Sequence, residues 1–368
     1  PSPVEFRYRA TRPPMAPRLS AFALFCVASA PLAAGLYIAP GPEQEADRKL
    51  MRTVSVDGRN PTPCDWRGFL TDCEAHLERL KVVEVEKPVP KKGEALVRIR
   101  ASSINAHDCE DLMHADMRRS TLGLDLAGTV EAVGAGCGWK PGDEVWGTGF
   151  DNTDAEYAAI RCGMLGRKPA NLTFVEAASL PIVGTTGLGA LWKAGAPWNR
   201  AGFERRAPTV LVLGGAGGSG SAGIQLAKAF GAGEVITTCS PSNFDLVRSL
   251  GADKVIDYHT SQWWEALGKG SVDVIYDCVT ADGTGEHAYE ILRDGGTLVS
   301  LLPNGLAPLS LARQRPSVKQ VFYLNIMDKS TRHLDMLRQL VEEGRLRPAV
   351  DSVYGLGEVR EAFRRAVG

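Results

Sequence analysis

The most constraining feature of the sequence is the stretch of residues 209–230, which reads TVLVLGGAGGSGSAGIQLAKAF. The apolar run TVLVL leads directly into a glycine-rich segment, and that segment opens a pattern of helical period. A run without alternation is typical of a strand that is buried on both faces of a parallel sheet. The pattern therefore predicts the first strand–turn–helix unit of a doubly wound α/β domain.

The rest of the chain divides by pattern into two domains. Strand-like and helix-like runs continue to alternate downstream, as EVITTCS, FDLVRSLGA, KVIDY, VDVIYDCV, AYEILRDGG and TLVSLLP. Upstream, short alternating runs (MRTVSV, LKVVEVE, ALVRIRASSI, GTVEAVG, DEVWG and AEYAAI) predict an antiparallel, barrel-like domain. Residues 58–76 interrupt it as a surface insertion, and residues 173–195 predict a helix pair that is broken at Pro181 and Gly184.

The glycines of the first turn match GxGxxG as Gly215, Gly217 and Gly220. Between a strand and a helix, this motif lets backbone N–H groups approach a pyrophosphate at the positive end of the helix. The alternative, a flexible linker, would not be bounded by VLVL and IQLAKAF. The motif therefore predicts a dinucleotide-binding turn.

The end of the second predicted strand bears on which dinucleotide binds. There Ser240 and Asn243 offer hydrogen-bond donors, and residues 240–243 contain no carboxylate that would repel a 2′-phosphate. An acidic residue at this place would instead accept hydrogen bonds from the ribose hydroxyls of NAD. The sequence therefore favours NADPH as the cofactor.

The N-terminus differs from the rest of the chain. Residues 1–18 carry four arginines and one acid, and residues 19–42 carry no charge. We expect residues 1–50 to be a targeting leader, to a mitochondrion or plastid with the secretory route as the alternative, or a weak membrane anchor over 19–42. Met15 is an alternative start, and a buried core helix is the remaining alternative for the apolar run.

The net charge of −1 for the whole chain argues against nucleic acid as the main partner.

The segment ASSINAHDCEDLMH, residues 101–114, concentrates side chains that can bind a metal. Among them, His107, Cys109 and His114 could be zinc ligands, or the segment could be a solvated loop facing a cleft. None of the eight cysteines forms a CxxC pair, which argues against a zinc ribbon. Cys64 and Cys73 could pair in an oxidising compartment or remain free thiols.

Several motifs in combination resemble those of one family. They are LVRIRASSIN, GLDLAGTVEAVG, PGDEVWG, AASLPIVGTTGLGAL, the glycine turn, LVRSLGADKVIDY and LVEEGRLRPAVDSVYGLGEVREAF. From Met51 onward, the chain resembles the zinc-independent quinone oxidoreductase branch of the medium-chain dehydrogenase/reductase superfamily, of the zeta-crystallin and mitochondrial reticulon-interacting types. The resemblance implies a GroES-like barrel domain that carries catalytic residues and a Rossmann domain that binds the nucleotide.

The resemblance also bears on the metal question. Zinc-dependent relatives hold their catalytic metal at positions that correspond to Asn105, Leu124 and Ile182, which do not form a useful zinc ligand set. We therefore expect no metal. Without a Lewis acid, the expected chemistry is hydride transfer to an acceptor that is already electrophilic, a quinone or an α,β-unsaturated carbonyl.

The resemblance assigns roles to individual residues. Asn105 is expected to contact the acceptor oxygen, Asp108 either to orient Asn105 or to cap a turn, and Thr186 to approach the nicotinamide. The expected cofactor-binding residues are Gly215, Ala216, Gly217, Gly218, Ser219, Gly220, Ser240, Asn243, Tyr258 and Leu301. Two positions depart from the family pattern, Ala106 in place of proline and Ser219 in place of valine.

The expected organisation is a leader over 1–50, a barrel domain over 51–178, a Rossmann domain over 179–329 and a return to the barrel over 330–368. The chain stops before a basic segment and a final strand that the family has, so we expect a fragment or a weakened cofactor contact.

The strand-like run over 321–326 predicts a homodimer joined at sheet edges. The alternative function is a catalytically idle nucleotide-binding subunit of an assembly.

Overall fold

The computed structural model describes residues 34–37, 49–56, 76–114, 121–149, 152–198, 206–324 and 331–367. Most of the expected leader, nearly all of the insertion, Cys64 and Cys73 lie outside these ranges. Within the described ranges, no helix has the length and apolar composition needed to cross a membrane.

The strands, in chain order, are β1 (Ala34–Tyr37), β2 (Leu50–Val56), β3 (Leu80–Glu86), β4 (Glu94–Ser103), β5 (Asp125–Val133), β6 (Glu144–Thr148), β7 (Tyr157–Arg161), β8 (Leu165–Arg167), β9 (Thr209–Leu213), β10 (Glu234–Cys239), β11 (Lys254–Asp257), β12 (Val272–Asp277), β13 (Leu292–Ser300), β14 (Lys319–Phe322) and β15 (Ser352–Gly355). The helices are α1 (Ala106–His114), α2 (Phe174–Ala178), α3 (Pro181–Lys193), α4 (Gly218–Ala229), α5 (Phe244–Ser249), α6 (Trp263–Ala266), α7 (Thr284–Ile291), α8 (Leu309–Gln314), α9 (Thr331–Glu342) and α10 (Val359–Val367).

The barrel domain is a largely antiparallel sheet in the order β15-β1-β4-β5-β6-β8, with β7 also paired to β4 and with β2 and β3 forming a separate pair. Its strands alternate, and the apolar side chains of one face fill the interior of the barrel, where Phe363 is fully buried. Trp146 is fully buried in a separate cluster that includes Leu334 of α9. The short strand β1 falls inside the range expected as a leader. It runs parallel to β15 and antiparallel to β4.

The second domain contains a parallel sheet in the order β11-β10-β9-β12-β13-β14. All five residues of β9 are buried, which agrees with its unbroken apolar run. The order turns back between β9 and β12, and this reversal opens a crevice at the carboxyl ends of the strands. The predicted fold class, a barrel domain joined to a doubly wound α/β domain, is confirmed.

The predicted helix break at Gly184 is wrong. The helix pair is broken near Pro181, but Gly184 lies inside α3, which runs on to Lys193. A Cβ atom at Gly184 would lie 2.8 Å from Leu337 Cδ1 of α9. This glycine therefore allows α9 to pack closely against α3 rather than ending the helix.

Two other local interpretations need correction. Residues 106–114 form helix α1 rather than a solvated loop, because Cys109 and Leu112 point into the core of the barrel. The strand expected over 321–326 begins earlier, at Lys319, and ends at Phe322. Asn325 and Ile326 lie outside the described residues.

A disulfide joins Cys137, in the turn between β5 and β6, to Cys162, which follows β7. Trp139 Nε1 donates a hydrogen bond to the Cys162 carbonyl at 3.2 Å. Just beyond this cross-link, the Thr331 hydroxyl at the start of α9 donates to the Leu165 carbonyl at 2.7 Å. The cross-link therefore lies in the surface of the barrel on which α9 rests.

One buried carboxyl of the barrel makes folding sensitive to pH. Asp154 has 0 % exposure, and Ser102 Oγ donates to its Oδ1 at 2.7 Å. Burial raises the pKa of Asp154 from 3.8 to about 6, against the smaller opposing effect of the Ser102 hydrogen bond. The folded protein thus holds this proton more tightly than the unfolded chain, so the contribution to stability is complete below pH 3.8 and is lost as the pH rises through about 6.

We therefore expect Asp154→Asn to raise the melting temperature at about pH 8, because an amide carries no charge to bury. The penalty removed is at most roughly 3 kcal/mol. At about pH 5 the wild-type carboxyl is largely protonated, and the difference should shrink. Melting curves of both proteins across this range check the prediction, and a variant that is less stable at every pH would contradict it.

Candidate active site

The turn between β9 and α4 is tight enough to favour glycine at two of its positions. Gly214 has a φ of +74°, and a Cβ atom at Gly220 would lie 2.1 Å from the Gly214 carbonyl oxygen. Helix α4 begins at Gly218, so the first N–H groups of this helix have no partner within it. The predicted residues Gly215, Ala216, Gly217, Gly218, Ser219 and Gly220 thus form one turn at a helix N-terminus that favours an anion.

The end of β10 holds the predicted donors of the adenosine side. Ser240 Oγ accepts a hydrogen bond from Asn243 Nδ2 at 3.1 Å and lies 3.1 Å from Ser242 Oγ. The neighbouring strand β11 ends at Asp257, which pairs with Cys239 of β10 and whose Oδ1 accepts from the backbone N–H of His259 at 3.0 Å. The ring of Tyr258 lies 4.3 Å from that of His259.

Thiols near this crevice are held in the protonated form. Burial and the nearby Asp257 raise the pKa of Cys239 to about 11, with Arg248 opposing them. Burial and Asp277 likewise raise the pKa of Cys278 well above its ordinary range. Because the thiolate is the nucleophilic form, these side chains are poor targets for electrophiles at neutral pH.

Helix α3 connects the glycine turn to the barrel. Its residues from Val183 to Leu191 are buried, including the predicted Thr186. A Cβ atom at Gly218 would lie 3.1 Å from Val183 Cγ1, so the glycine turn lies against the first turn of this helix. In the same turn, the backbone N–H of Ile182 donates to Asp125 Oδ1 of the barrel at 2.8 Å.

Asn105 lies between the end of β4 and the start of α1, and it is half-buried. Its side-chain Nδ2 donates to Asp125 Oδ2 at 3.0 Å. Asp108 contacts a different part of the same residue, because its Oδ2 accepts from the Asn105 backbone N–H at 2.6 Å. This contact is of the capping kind, and the contact with the Asn105 amide comes from Asp125.

Asp125 is therefore a site residue that sequence reasoning missed. Its carboxylate is fully buried at the first position of β5 and also accepts from Ser103 Oγ at 2.8 Å. The available signal was a carboxylate inside the otherwise apolar run GLDLAG, since buried charges occur only where they are paired or hydrogen-bonded.

Asp277 is a second missed residue, at the carboxyl end of β12. Its carboxylate accepts from the backbone N–H of Thr280 at 2.8 Å and from Ser300 Oγ at 3.0 Å. Its carbonyl accepts from the N–H of the predicted Leu301 at 3.2 Å. Burial raises the pKa of Asp277 to about 6, against these hydrogen bonds. Asp277 thus ties together the loops that follow β12 and β13.

The structure groups the predicted residues in two places. Asn105 and Thr186 lie at the barrel side, since Ile182 and Thr186 are one turn apart on α3 and Asp125 joins Ile182 to Asn105. Ser240, Asn243 and Tyr258 lie at the ends of β10 and β11 on the other side of the glycine turn. This separation suits a long ligand with two chemically different ends.

The metal candidates do not converge. Cys109 is buried in the barrel core, whereas His107 is exposed on α1. In the part of the chain that the structure describes, no group of three or more His, Cys, Asp or Glu side chains could hold a metal ion.

Comparison with known proteins identifies the family. Residues 91–189 match the family model of the alcohol dehydrogenase GroES-like domain, and residues 250–366 match the model described as zinc-binding dehydrogenase. The chain is 34% identical over 300 residues to a 2-methylene-furan-3-one reductase of Solanum lycopersicum, covering 76% of this chain and 70% of the relative.

Two further comparisons agree. The chloroplastic quinone-oxidoreductase QR1 of Triphysaria versicolor is 30% identical over 336 residues, which cover 87% of this chain and 95% of the relative. The solved quinone oxidoreductase from Coxiella burnetii has a TM-score of 0.72 and 27% identity over 86% of this chain and 95% of that chain. The resemblance is thus confirmed, and the chain belongs to the medium-chain dehydrogenase/reductase superfamily, in its quinone oxidoreductase-like branch.

Proposed function

We propose that the protein transfers hydride from NADPH to a quinone or an α,β-unsaturated carbonyl compound, without a catalytic zinc ion. The observation that carries this proposal is the Asn105 amide, held by Asp125 beside the helix that bears Thr186. The names of relatives support the coarser statement, an NAD(P)H-dependent oxidoreductase. Relatives named as chloroplastic and mitochondrial support an organelle location, for which we propose a mitochondrion or plastid.

When bound, the nicotinamide supplies the hydride. The protein supplies position and charge stabilisation. Asn105 Nδ2 is a neutral donor suited to the carbonyl oxygen that gains negative charge as the hydride arrives. Thr186 is buried on α3, and in this proposal it is part of the surface against which the nicotinamide would lie. A neutral hydrogen-bond donor and a buried surface for the nicotinamide suit an acceptor that is already electrophilic.

Zinc independence is part of the proposal. Some similar proteins have names that mention zinc, whereas the family resemblance assigns the zinc-ligand positions of zinc-dependent relatives to Asn105, Leu124 and Ile182 in this chain. The side chains of Leu124 and Ile182 have no atom that can bind a metal.

We expect the purified protein to oxidise NADPH in the presence of a panel of quinones and enals and to contain far less than one zinc per chain. Asn105→Ala should lower kcat/KM by about a hundredfold, since removal of one donor to a developing oxyanion costs roughly this factor. Initial-rate assays of NADPH oxidation test the first point, and elemental analysis of the same preparation tests the zinc content. Stoichiometric zinc, or full activity of Asn105→Ala, would contradict the proposal, and the absence of turnover with every acceptor would favour an idle nucleotide-binding subunit.

The preference for NADPH is proposed to come from Ser240 and Asn243. Hydrogen bonds to charged groups contribute about 1.5–3 kcal/mol, so one such bond to the 2′-phosphate gives roughly a tenfold to hundredfold preference. Ser240→Asp should repel the phosphate, offer an acceptor to the ribose of NADH and so invert the preference.

Binding titrations of both cofactors test this expectation. The control is Ser310→Asp, which adds the same charge at an exposed position of α8. Helix α8 leads into β14, and β14 is the edge strand on the far side of the parallel sheet from β10. This control should leave the ratio of the two affinities unchanged. A wild type that prefers NADH, or a Ser240→Asp variant that weakens both cofactors equally, would refute the assignment.

We also propose a homodimer formed by pairing of two β14 edges. Phe322 and Leu324 are 40 % and 50 % exposed at this edge, and an apolar edge strand is a template for pairing with another chain.

Light scattering at micromolar concentration should therefore give twice the chain mass. Phe322→Lys should dissociate the dimer, because a charge would be buried at the joint. Leu309→Lys is the matched control, since Leu309 is 71 % exposed on α8 outside the edge. A stable wild-type monomer, or equal dissociation by both variants, would contradict this assembly.

A further inference from the structure

The buried carboxylate of Asp125 is the meeting point of three hydrogen bonds from different parts of the chain. Its Oδ2 accepts from Ser103 Oγ at 2.8 Å and from Asn105 Nδ2 at 3.0 Å. Its Oδ1 accepts from the backbone N–H of Ile182 at 2.8 Å. One side chain with 0 % exposure thus contacts the end of β4, the residue before α1 and the first turn of α3.

Each contact has a separate physical reason. The N–H of Ile182 is in the first turn of α3, where backbone N–H groups take acceptors from outside the helix, and the positive end of a helix attracts an anion. The Asn105 amide can present either its oxygen or its NH2 group to a neighbour. A carboxylate can only accept hydrogen bonds, so it contacts the NH2 group and thereby fixes the orientation of the Asn105 amide.

We propose that Asp125 is a positioning residue for the reduction. The Asn105 Nδ2 also lies 3.5 Å from the carbonyl and hydroxyl oxygens of Ser103, both longer contacts than the one with Asp125. Asp125 holds one N–H of the amide and thereby directs the second N–H toward the oxygen of the bound acceptor. Its bond to Ile182 places the same amide at a fixed position relative to α3, and so relative to Thr186 one turn further along. This inference rests on the proposed function, since it takes Asn105 to be the group that contacts the acceptor.

The other carboxylates near Asn105 do not share these contacts. Asp108 accepts from the Asn105 backbone and leaves the orientation of the amide open. Asp154 is also fully buried and accepts from the serine next to Ser103, Ser102 Oγ, at 2.7 Å. Successive residues of a strand point to opposite faces of the sheet, so Ser102 and Ser103 serve different faces. Asp154→Asn is therefore a matched control for the loss of a buried, serine-bonded carboxylate.

The variant Asp125→Asn is close to isosteric and can still accept from Ile182 through its amide oxygen. Its NH2 group then faces the NH2 group of Asn105, and Asn105 is expected to turn its oxygen toward residue 125. This rotation moves the N–H that would contact the acceptor. Mispositioned donors lower rates by about tenfold to a hundredfold.

The experiment is a double-mutant cycle on the full chain with NADPH and one quinone, comparing wild type, Asn105→Ala, Asp125→Asn, the double variant and Asp154→Asn. Each protein is measured for kcat, for KM of the quinone, for the dissociation constant of NADPH and for melting temperature. We expect Asp125→Asn to lower kcat at least about tenfold while NADPH affinity changes less than about threefold. In the Asn105→Ala background, Asp125→Asn should have no further effect on kcat.

The two proposals fail in different ways. If Asn105→Ala keeps full activity, the proposed role of Asn105 is wrong. If Asn105→Ala lowers kcat but Asp125→Asn does not, or if the two losses multiply, Asp125 does not act through Asn105. If Asp125→Asn weakens NADPH binding and stability in proportion to kcat, or if Asp154→Asn lowers kcat equally, the role of Asp125 is only structural.

Discussion

The contact on which the rest of the site depends is the pair of hydrogen bonds from Asn105 Nδ2 and the Ile182 N–H to the carboxylate of Asp125. The two donors belong to the segment after β4 and to the first turn of α3, and a buried carboxylate with its donors removed would carry a large desolvation penalty. The barrel and α3 are thus held in one relative position at the point where the chemistry is proposed. Asp125 both accepts from the N-terminal turn of a helix and accepts from the Asn105 amide that we propose contacts the acceptor.

Helix α3 also fixes the elements of the nucleotide side relative to Asp125, because it packs unusually closely on several neighbours. Cβ atoms at Gly184, Gly187 and Gly189 would lie 2.8, 2.9 and 1.8 Å from Leu337, Leu226 and the hydroxyl of Tyr323, respectively. Glycines in a helix interior reduce its intrinsic stability, so tertiary packing must stabilise this one. The glycine turn, the edge of the parallel sheet and α9 therefore lie in fixed positions around the helix that also contacts Asp125.

The local patterns of the sequence were sufficient for the fold class and for the glycine turn. The run TVLVL and the glycines after it determine their own structure, because burial on two faces and a turn without Cβ atoms leave few alternatives. The Gly184 break was wrong because a helix propensity contains no information about Leu337, which is 153 positions away in the chain. The cysteine pair 137–162 and the helical state of residues 106–114 depend in the same way on packing between distant segments.

In the candidate site, motif matching proposed residues that resemble a family pattern but did not point to the residues that hydrogen-bond to them. Asn105 was expected, and the Asp125 carboxylate that accepts from it was not. Their hydrogen bond joins residues that are 20 positions apart, one after the end of β4 and one at the start of β5. Asp277 was missed for the same reason, since its partner Ser300 is on the adjacent strand. A charged residue inside an apolar strand is the signal that could have pointed to both.

The most direct measurement is a crystal structure of the protein with NADP⁺ and a bound quinone, collected with anomalous data at the zinc edge. The proposed chemistry predicts a quinone oxygen about 2.7–3.1 Å from Asn105 Nδ2, the distance expected for a donor to a developing oxyanion. It also predicts that Asp125 still accepts from both Asn105 and Ile182. A quinone bound away from Asn105, or an anomalous peak that marks zinc within reach of residues 105–125, would contradict it.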